Sequence, residues 1–170
     1  ASSVSGYYFA NPESKYFGLG KIKKHPLFLK LLINSYAPYL GAGVRVTDMD
    51  MEAGRVRVEM PLTRVNRNYV GVHFGGSLYA MVDPFLLLIL LNQLGDDYVV
   101  WDKAASIDFV TAGRGRVHSV IQIDPAEVVL IRQLAASGQP VYRTYPVEIL
   151  ADDGKLVAKI EKVLYIRKKL

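Results

Sequence analysis

The sequence predicts an α+β protein, an antiparallel sheet wrapped around one long apolar helix. Three observations carry that reading. Most of the chain beyond Gly43 alternates apolar and polar residues with the period of two of a half-buried strand. One stretch, Gly75 to Leu94, is instead apolar on every side, with Leu86 to Leu91 wholly aliphatic, so a helix there must be enclosed. The order is a helix, two strands, the long helix, then four strands with a short helical insertion, which places one helix on the face of a sheet.

Residues 1–25 hold Gly18, Gly20 and the basic cluster Lys21, Lys23 and Lys24 without periodicity, and read as an arm or loop. Pro26 suits a first helical position. Leu27, Phe28, Leu31, Leu32 and Tyr36 then recur at helical spacing until Pro38 and Gly41 stop the pattern. This helix is expected to pack on the domain edge, although the lysines before it also suit a membrane surface. Residues 1–42 are therefore an N-terminal arm and helix, and 43–170 the sheet-and-helix domain of a single-domain protein.

From Gly43, Val44, Val46 and Met49 lead into the Glu52-Ala53-Gly54 turn, and Arg55 to Met60 alternates at every position, a hairpin with one wet face. A loop, Pro61 to Phe74, enters the long helix. Tyr98 to Val110 places Val99, Trp101, Ala105, Ile107 and Phe109 on one strand face; Thr111 to Gly115 turns the chain, and Arg116 to Asp124 is the next strand. Pro125 to Gln139 breaks the alternation with a helix that Gly138 can end. Val141 to Leu150 and Leu156 to Ile166 are the last strands, about the Asp152-Asp153-Gly154 turn. Pro146 cannot donate a ladder hydrogen bond, so its strand is expected at an edge or with a bulge.

A chain of 170 residues accommodates one domain with a full core, and 51% hydrophobic with 22% charged residues is a globular composition. A net charge of +5 does not call for a nucleic-acid partner, and none is expected. The absence of cysteine excludes a disulfide framework, a thiolate nucleophile and a cysteine zinc site. His25, His73 and His118 are too scattered for a paired metal site, so no metal is expected. Ala1 to Ala10 lacks the charged start and apolar run of a secretory signal, and a cytoplasmic protein is expected. Gly75 to Leu94 matches the roughly 20 residues that cross a bilayer. Asp83 near its middle would cost roughly 2.5–3.5 kcal/mol there, so no membrane span is expected.

The loop into the long helix reads Asn68-Tyr69-Val70-Gly71-Val72-His73-Phe74-Gly75-Gly76, followed by Ser77-Leu78-Tyr79-Ala80-Met81-Val82-Asp83. Set in a sheet wrapped around one helix, this run resembles the hotdog-fold thioesterases related to the phenylacetate-pathway enzyme. In that family an Asn opens the loop, a paired Gly begins the helix, and an acidic residue follows about two turns into it. Asn68, Gly75-Gly76 and Asp83 stand at those places. Ile107 to Val117 looks like the family's strand, turn and strand. Phe74 to Phe85, with Val100-Trp101-Asp102-Lys103-Ala104, is similar to a thioesterase-like branch of the superfamily. The resemblance implies the hotdog fold and hydrolysis of an acyl thioester of coenzyme A or of a carrier protein. Coenzyme A would enter only as part of the substrate, with no separate cofactor, and the assembly would be a homodimer or a dimer of dimers. One position departs: Phe74 stands where the family usually has His before the paired Gly, and His73 lies one residue earlier.

Thioester hydrolysis needs a polarised carbonyl and an activated water or nucleophile. Unpaired N–H groups at a helix start, approachable because glycine has no side chain, offer the first, and Gly75 and Gly76 are placed to supply them. Asp83, among Met81, Val82, Phe85 and Leu86, is the candidate base or nucleophile in an apolar setting. Asn68 is a candidate to hold the water or the acyl carbonyl. His73, Phe74 and Ser77 at the loop are candidates to touch substrate, and Arg114 and Arg116 to meet the phosphates of coenzyme A. Plainer readings stand beside these. Asp83-Pro84 is also a helix-start signature, Gly75-Gly76 a tight turn, Asn68 a turn former and His73 a packed loop residue. Trp101, Asp102 and Lys103 could line a ligand site but read more plainly as a buried aromatic beside a surface ion pair, the arginines read as solvated, and Ser77 lacks a nucleophile elbow. The competing function is a hotdog protein that binds an acyl thioester without cleaving it. Spacing adds one expectation: eight helical steps carry Asp83 about 12 Å from Gly75, so one chain cannot bring both to a single carbonyl. Two antiparallel helices about a twofold axis could.

Overall fold

The structure is a computed structural model and describes residues 26–170. The arm with its lysine cluster, and the stretch read for a secretory signal, lie outside the described residues. Two short helices, α1 (Pro26–Asn34) and α2 (Ala37–Ala42), stand where one helix was expected. Pro38 has no N–H for the Asn34 carbonyl, so the helix stops and Pro38 enters the first turn of α2 instead. Asn34 ties α1 to β1 (Arg45–Asp50): its Oδ1 accepts from the Val46 N–H at 2.8 Å and its Nδ2 donates to the Val46 carbonyl at 3.2 Å.

The alternation of β2 (Arg55–Met60) is realised residue by residue, with Val56, Val58 and Met60 fully buried and the charged residues between them half-buried. The other strands are β3 (Tyr98–Phe109), β4 (Val117–Gln122), β5 (Val141–Ala151) and β6 (Leu156–Lys168). They form one antiparallel sheet in the order β1-β2-β4-β5-β6-β3. The long apolar stretch supplies α3 (Gly75–Ala80) and α4 (Phe85–Leu94) on the inner face, and α5 (Pro125–Leu134) links β4 to β5. Asp124 caps α5 through its carboxylate, which accepts from the Ala126 N–H at 2.7 Å. β4 pairs with β5 only at Val117↔Ala151 and His118↔Leu150. Pro146 therefore lies where β5 has β6 as its one strand partner, as its missing N–H requires.

Two expectations are corrected. The face assigned to β3 is split by a bulge between Asp102 and Ala104. Before the bulge Tyr98 and Val100 are buried; beyond it the parity reverses, and Ala105, Ile107 and Phe109 pair with Lys162, Ile160 and Ala158 of β6, all buried. Val99 and Trp101 thus face away from Ile107 and Phe109. The apolar helix is also neither continuous nor wholly enclosed. Residues 81–84 form turns between α3 and α4, and while Leu86, Ile89 and Leu90 are buried, Leu87, Leu88 and Leu91 are only partly covered. Among the described residues, Gly75–Leu94 is the one stretch apolar and long enough to cross a membrane by length and composition. In the fold its Met81, Phe85, Ile89 and Leu90 have no exposed surface.

Candidate active site

The break in the central helix creates the site. Pro84 has no N–H, so the Ala80 carbonyl four residues earlier loses its helical partner. The Tyr39 hydroxyl of α2 replaces it, donating to Ala80 O at 3.1 Å and lying 3.5 Å from Met81 O. The carbonyl of Asp83 is turned toward β6, where the Lys162 ammonium donates to it. Lys162 also donates to Asp83 Oδ1 at 2.6 Å and sits 3.1 Å from Asp102 Oδ1, at the bulge of β3. The ammonium lies 5.8 Å from the centre of the Tyr79 ring, and the Tyr79 hydroxyl lies against the Asp83 carboxylate.

This cluster is buried on one side and open on the other. The Lys162 side chain is 1% exposed, whereas Asp83 and Asp102 keep 41% and 38% of theirs. One ammonium faces two carboxyl groups. Burial raises the Asp102 carboxyl above the usual carboxylate range, the Lys162 charge and hydrogen bond work against that rise, and the Asp83 charge adds to it. The Tyr79 and Tyr39 hydroxyls are also pushed up, first by burial and then by Asp83. The helix-cap reading of Asp83 does not hold: Pro84 occupies the N-cap of α4 and no side chain caps it, because the carboxylate is turned to Lys162. Nor is Asp83 in an apolar cage. The surface pair read as Asp102 with Lys103 is likewise corrected, since Asp102 faces Lys162, and Trp101 is 37% exposed rather than buried.

The other candidates gather at the start of α3. Asn68 closes its loop: Oδ1 accepts from the Val70 and Val72 N–H groups at 3.1 Å each, and Nδ2 reaches the His73 carbonyl at 3.4 Å. His73 is 3% exposed and bonds twice to the turn after β3, by its N–H to Gly113 O at 3.2 Å and by Nε2 to Gly115 O at 2.8 Å. Burial holds its imidazole below the usual histidine range, against the opposing effect of the Gly115 carbonyl. Gly75 and Gly76 are needed for close approach. A Cβ on Gly75 would stand 2.8 Å from Phe109 Cζ, and one on Gly76 would stand 2.5 Å from Phe74 Cε1. Ser77 and Leu78 donate to Phe74 O at 3.0 and 3.1 Å, which leaves the Gly75 and Gly76 N–H groups ahead of the first closed turn. Ser77 has backbone bonds only to Phe74 and Met81 in these turns. Arg114 is exposed on the turn that holds His73, and Arg116 is engaged by Asp152 at 3.1 Å and Glu59 at 3.6 Å.

The structure therefore brings Asn68, His73, Phe74, Gly75, Gly76, Ser77 and Arg114 to one end of the helix and leaves Asp83 at the break, two turns on. Lys162 and Tyr39 escaped the sequence reading as site residues, Tyr79 entered it only as part of the motif, and Asp102 was given Lys103 as its partner rather than Lys162. A signal for Lys162 was present: it interrupts Ala158, Ile160, Leu164 and Ile166, the inward positions of β6. Asn66 was also missed. It is 9% exposed and donates to Ala42 O and Pro61 O at 2.7 and 2.8 Å, fastening the loop to the end of α2. A separate cleft of about 580 Å³, lined by Lys103, Tyr142, Tyr165 and Arg167 among others, lies on the outer face of the sheet and takes no part in this site. Among the described residues no group of acidic or histidine side chains is arranged to hold a metal.

Solved structures share this fold. A Pseudomonas aeruginosa protein of unknown function, described as a probable thioesterase, superposes with a TM-score of 0.72 at 17% identity, over 83% of this chain and 94% of that one. A Chlorobaculum tepidum protein of unknown function gives 0.67 at 16% identity, over 88% and 96%. A thioesterase from Haemophilus influenzae gives 0.60 at 15% identity, over 84% and 90%. At these identities the likeness shows the fold, which is the hotdog fold. No curated protein matches the sequence. The model of one family, described as a domain of unknown function (DUF4442), matches residues 25–166, and the chain belongs to that family.

Proposed function

We propose that this protein is a cytoplasmic homodimeric hydrolase of acyl thioesters, of coenzyme A or of a carrier protein, in which Asp83 is the reacting carboxylate. One observation carries the reading: at the break of the helix a half-exposed carboxylate is held by a buried cation and presented to the surface. The loop-helix motif similar to that of the phenylacetate-pathway thioesterases, and the hotdog fold shared with a thioesterase, support it. As a base, Asp83 would take a proton from water while the water oxygen attacks the thioester carbonyl. The C–S bond then breaks and Asp83 returns its proton to the leaving sulfur, giving a carboxylic acid and a thiol. The Gly75 and Gly76 N–H groups would stabilise the oxyanion, with Asn68 ordering their loop.

The Gly75 and Gly76 N–H groups open α3 whereas Asp83 lies beyond its end, in the turns before α4, and this separation supports a site shared between two copies. β3 supports the same partner, as a twelve-residue strand at the sheet edge, paired on one side by β6 and carrying exposed Trp101 and Phe109. Of the two candidate arginines, Arg114 is the one without an ion pair among the described residues and so the better placed to meet a coenzyme A phosphate, a role for which the engagement of Arg116 by two carboxylates leaves less room. The test is complementation. An Asp83→Asn chain and a Gly75→Leu chain, each inactive alone on a panel of acyl-CoA esters, should recover activity when mixed, because one of the two interface sites then carries neither defect. No recovery in confirmed heterodimers would sink the shared site, and wild-type turnover by Asp83→Asn would sink the catalytic role. The second reading, acyl binding without cleavage, is favoured by the grip of Lys162 on Asp83 Oδ1, and tight acyl binding by a wild-type protein without turnover would establish it.

A further inference from the structure

We infer that Lys162 is the positioning residue of Asp83, and that Asp102, by sharing the same ammonium, sets how strongly Lys162 holds it. The inference rests on the reading of Asp83 as the reacting carboxylate. Stability alone does not account for Lys162. Its neighbours on the inner face of β6, Ile160 and Leu164, are fully buried apolar residues. Removing an ammonium from water costs more than an exposed partner usually returns, so an apolar side chain of the same volume would serve the core as well or better.

What Lys162 does that an apolar residue cannot is bond Asp83 at two points, the main-chain carbonyl and Oδ1. Two bonds from one ammonium fix both the backbone of the break and the rotation of the carboxylate. The geometry also limits the grip. Asp102 Oδ1 lies 3.1 Å from the same ammonium, against 2.6 Å for Asp83 Oδ1, so the charge is divided rather than given to one partner. The groups facing Asp83 come from four elements: Lys162 from β6, Asp102 from β3, Tyr79 from α3, and Tyr39 from α2. Lys162 is the single cation among them. Burial raises the Asp102 carboxyl, the Lys162 charge and hydrogen bond oppose that rise, and the nearby Asp83 charge adds to it.

The experiment compares Lys162→Met, Asp102→Asn and Asp83→Asn in the full-length protein. It uses pH profiles of kcat and KM on short-chain acyl-CoA esters, and carboxyl NMR titration of 13C-aspartate-labelled protein. Losing the cation should move the acid limb of kcat/KM, and the titration of the carboxyl pair, upward by about one pH unit or more. In Lys162→Met, kcat should also fall about ten- to hundredfold, with KM little changed, as misorientation of a reacting group would produce. Losing the competing carboxylate, in Asp102→Asn, should move the limb and the Asp83 carboxyl signal downward. Opposite displacements are the signature, since a purely structural lysine would change stability and leave the profile in place. Displacements in the same direction, or none, would overturn the inference. If Lys162→Met does not fold, Asp102→Asn alone decides, because it keeps the ammonium, and an unmoved profile and signal overturn the proposal. Wild-type turnover by Asp83→Asn would instead overturn the reading of Asp83 as reacting group. The NMR titration would then still decide whether Lys162 and Asp102 govern the carboxylate.

Discussion

The two ends of the first helical segment are built by opposite means. At its start, around Asn68, His73 and Gly75-Gly76, neutral amides and one imidazole bond to backbone carbonyls and amides of the adjacent turn. At its other end, a missing N–H leaves carbonyls that are satisfied by a tyrosine and a lysine from distant elements, and two carboxylates share the cation. The first end is a scaffold in which side-chain polar groups are consumed by holding the loop, while the Gly75 and Gly76 N–H groups stay ahead of the first closed turn. The second has a broken ladder and a half-exposed ionic cluster. Hydrogen bonding inside a loop uses up its own side chains, whereas an interrupted ladder draws in side chains from distant elements.

The contrast can be broken by substitution. Phe85, fully buried just after the break and 6.3 Å from the Tyr39 ring, should be the costliest truncation: Phe85→Ala is expected to lose about 3–5 kcal/mol in denaturant unfolding. A loss below about 1 kcal/mol would mean that the break is not anchored in the core. Next comes Asn66→Ala at the scaffold end, which leaves the Ala42 and Pro61 carbonyls without their donor and should cost about 1–3 kcal/mol. Tyr39→Phe removes only the hydroxyl that replaces the proline N–H, with an expected loss of about 1 kcal/mol. Faster amide exchange in residues 81–84 should accompany it, and an unchanged exchange pattern there would argue against the replacement.

The smallest effect concerns pH at the scaffold end. Nε2 of His73 must carry the proton it donates to the Gly115 carbonyl, so Nδ1 is a bare acceptor, buried without a partner among the described residues. Protonating it would bury an unpaired N–H, in keeping with a pKa lowered from 6.5. A histidine lowered in the folded state stabilises fully above its unfolded value and loses that contribution as pH falls through the folded one. Exchange at the Asn68 and His73 amides should therefore speed up below about pH 6.5, beyond the intrinsic chemical trend, while the break keeps its protection. Equal response at both ends would erase the distinction.

Much of the architecture was legible because hydrophobic periods are local. The six alternating residues of β2, the apolar run of α4 and the Pro125 start of α5 were each read at or near their true positions. Parity is less robust. A single extra residue at the β3 bulge reversed which side chains face the helix, and nothing near Asp102 announces it. Pro38 and Pro84 were both visible, yet whether a proline ends a helix or only interrupts one depends on what satisfies the freed carbonyl, and for Pro84 that donor is Tyr39.

Sequence by itself determined the strand periods, the presence of an apolar helical stretch on the sheet, and Asp83 as a carboxylate out of place within it. Tertiary structure alone decided what that carboxylate bonds. Its cation stands 79 positions away, in a strand whose pattern demands an apolar residue, and the competing carboxylate lies on a third element. Periodicity reports which face a residue takes, whereas the state of a buried charge depends on every other charge within a few ångströms, and only the folded chain brings those together.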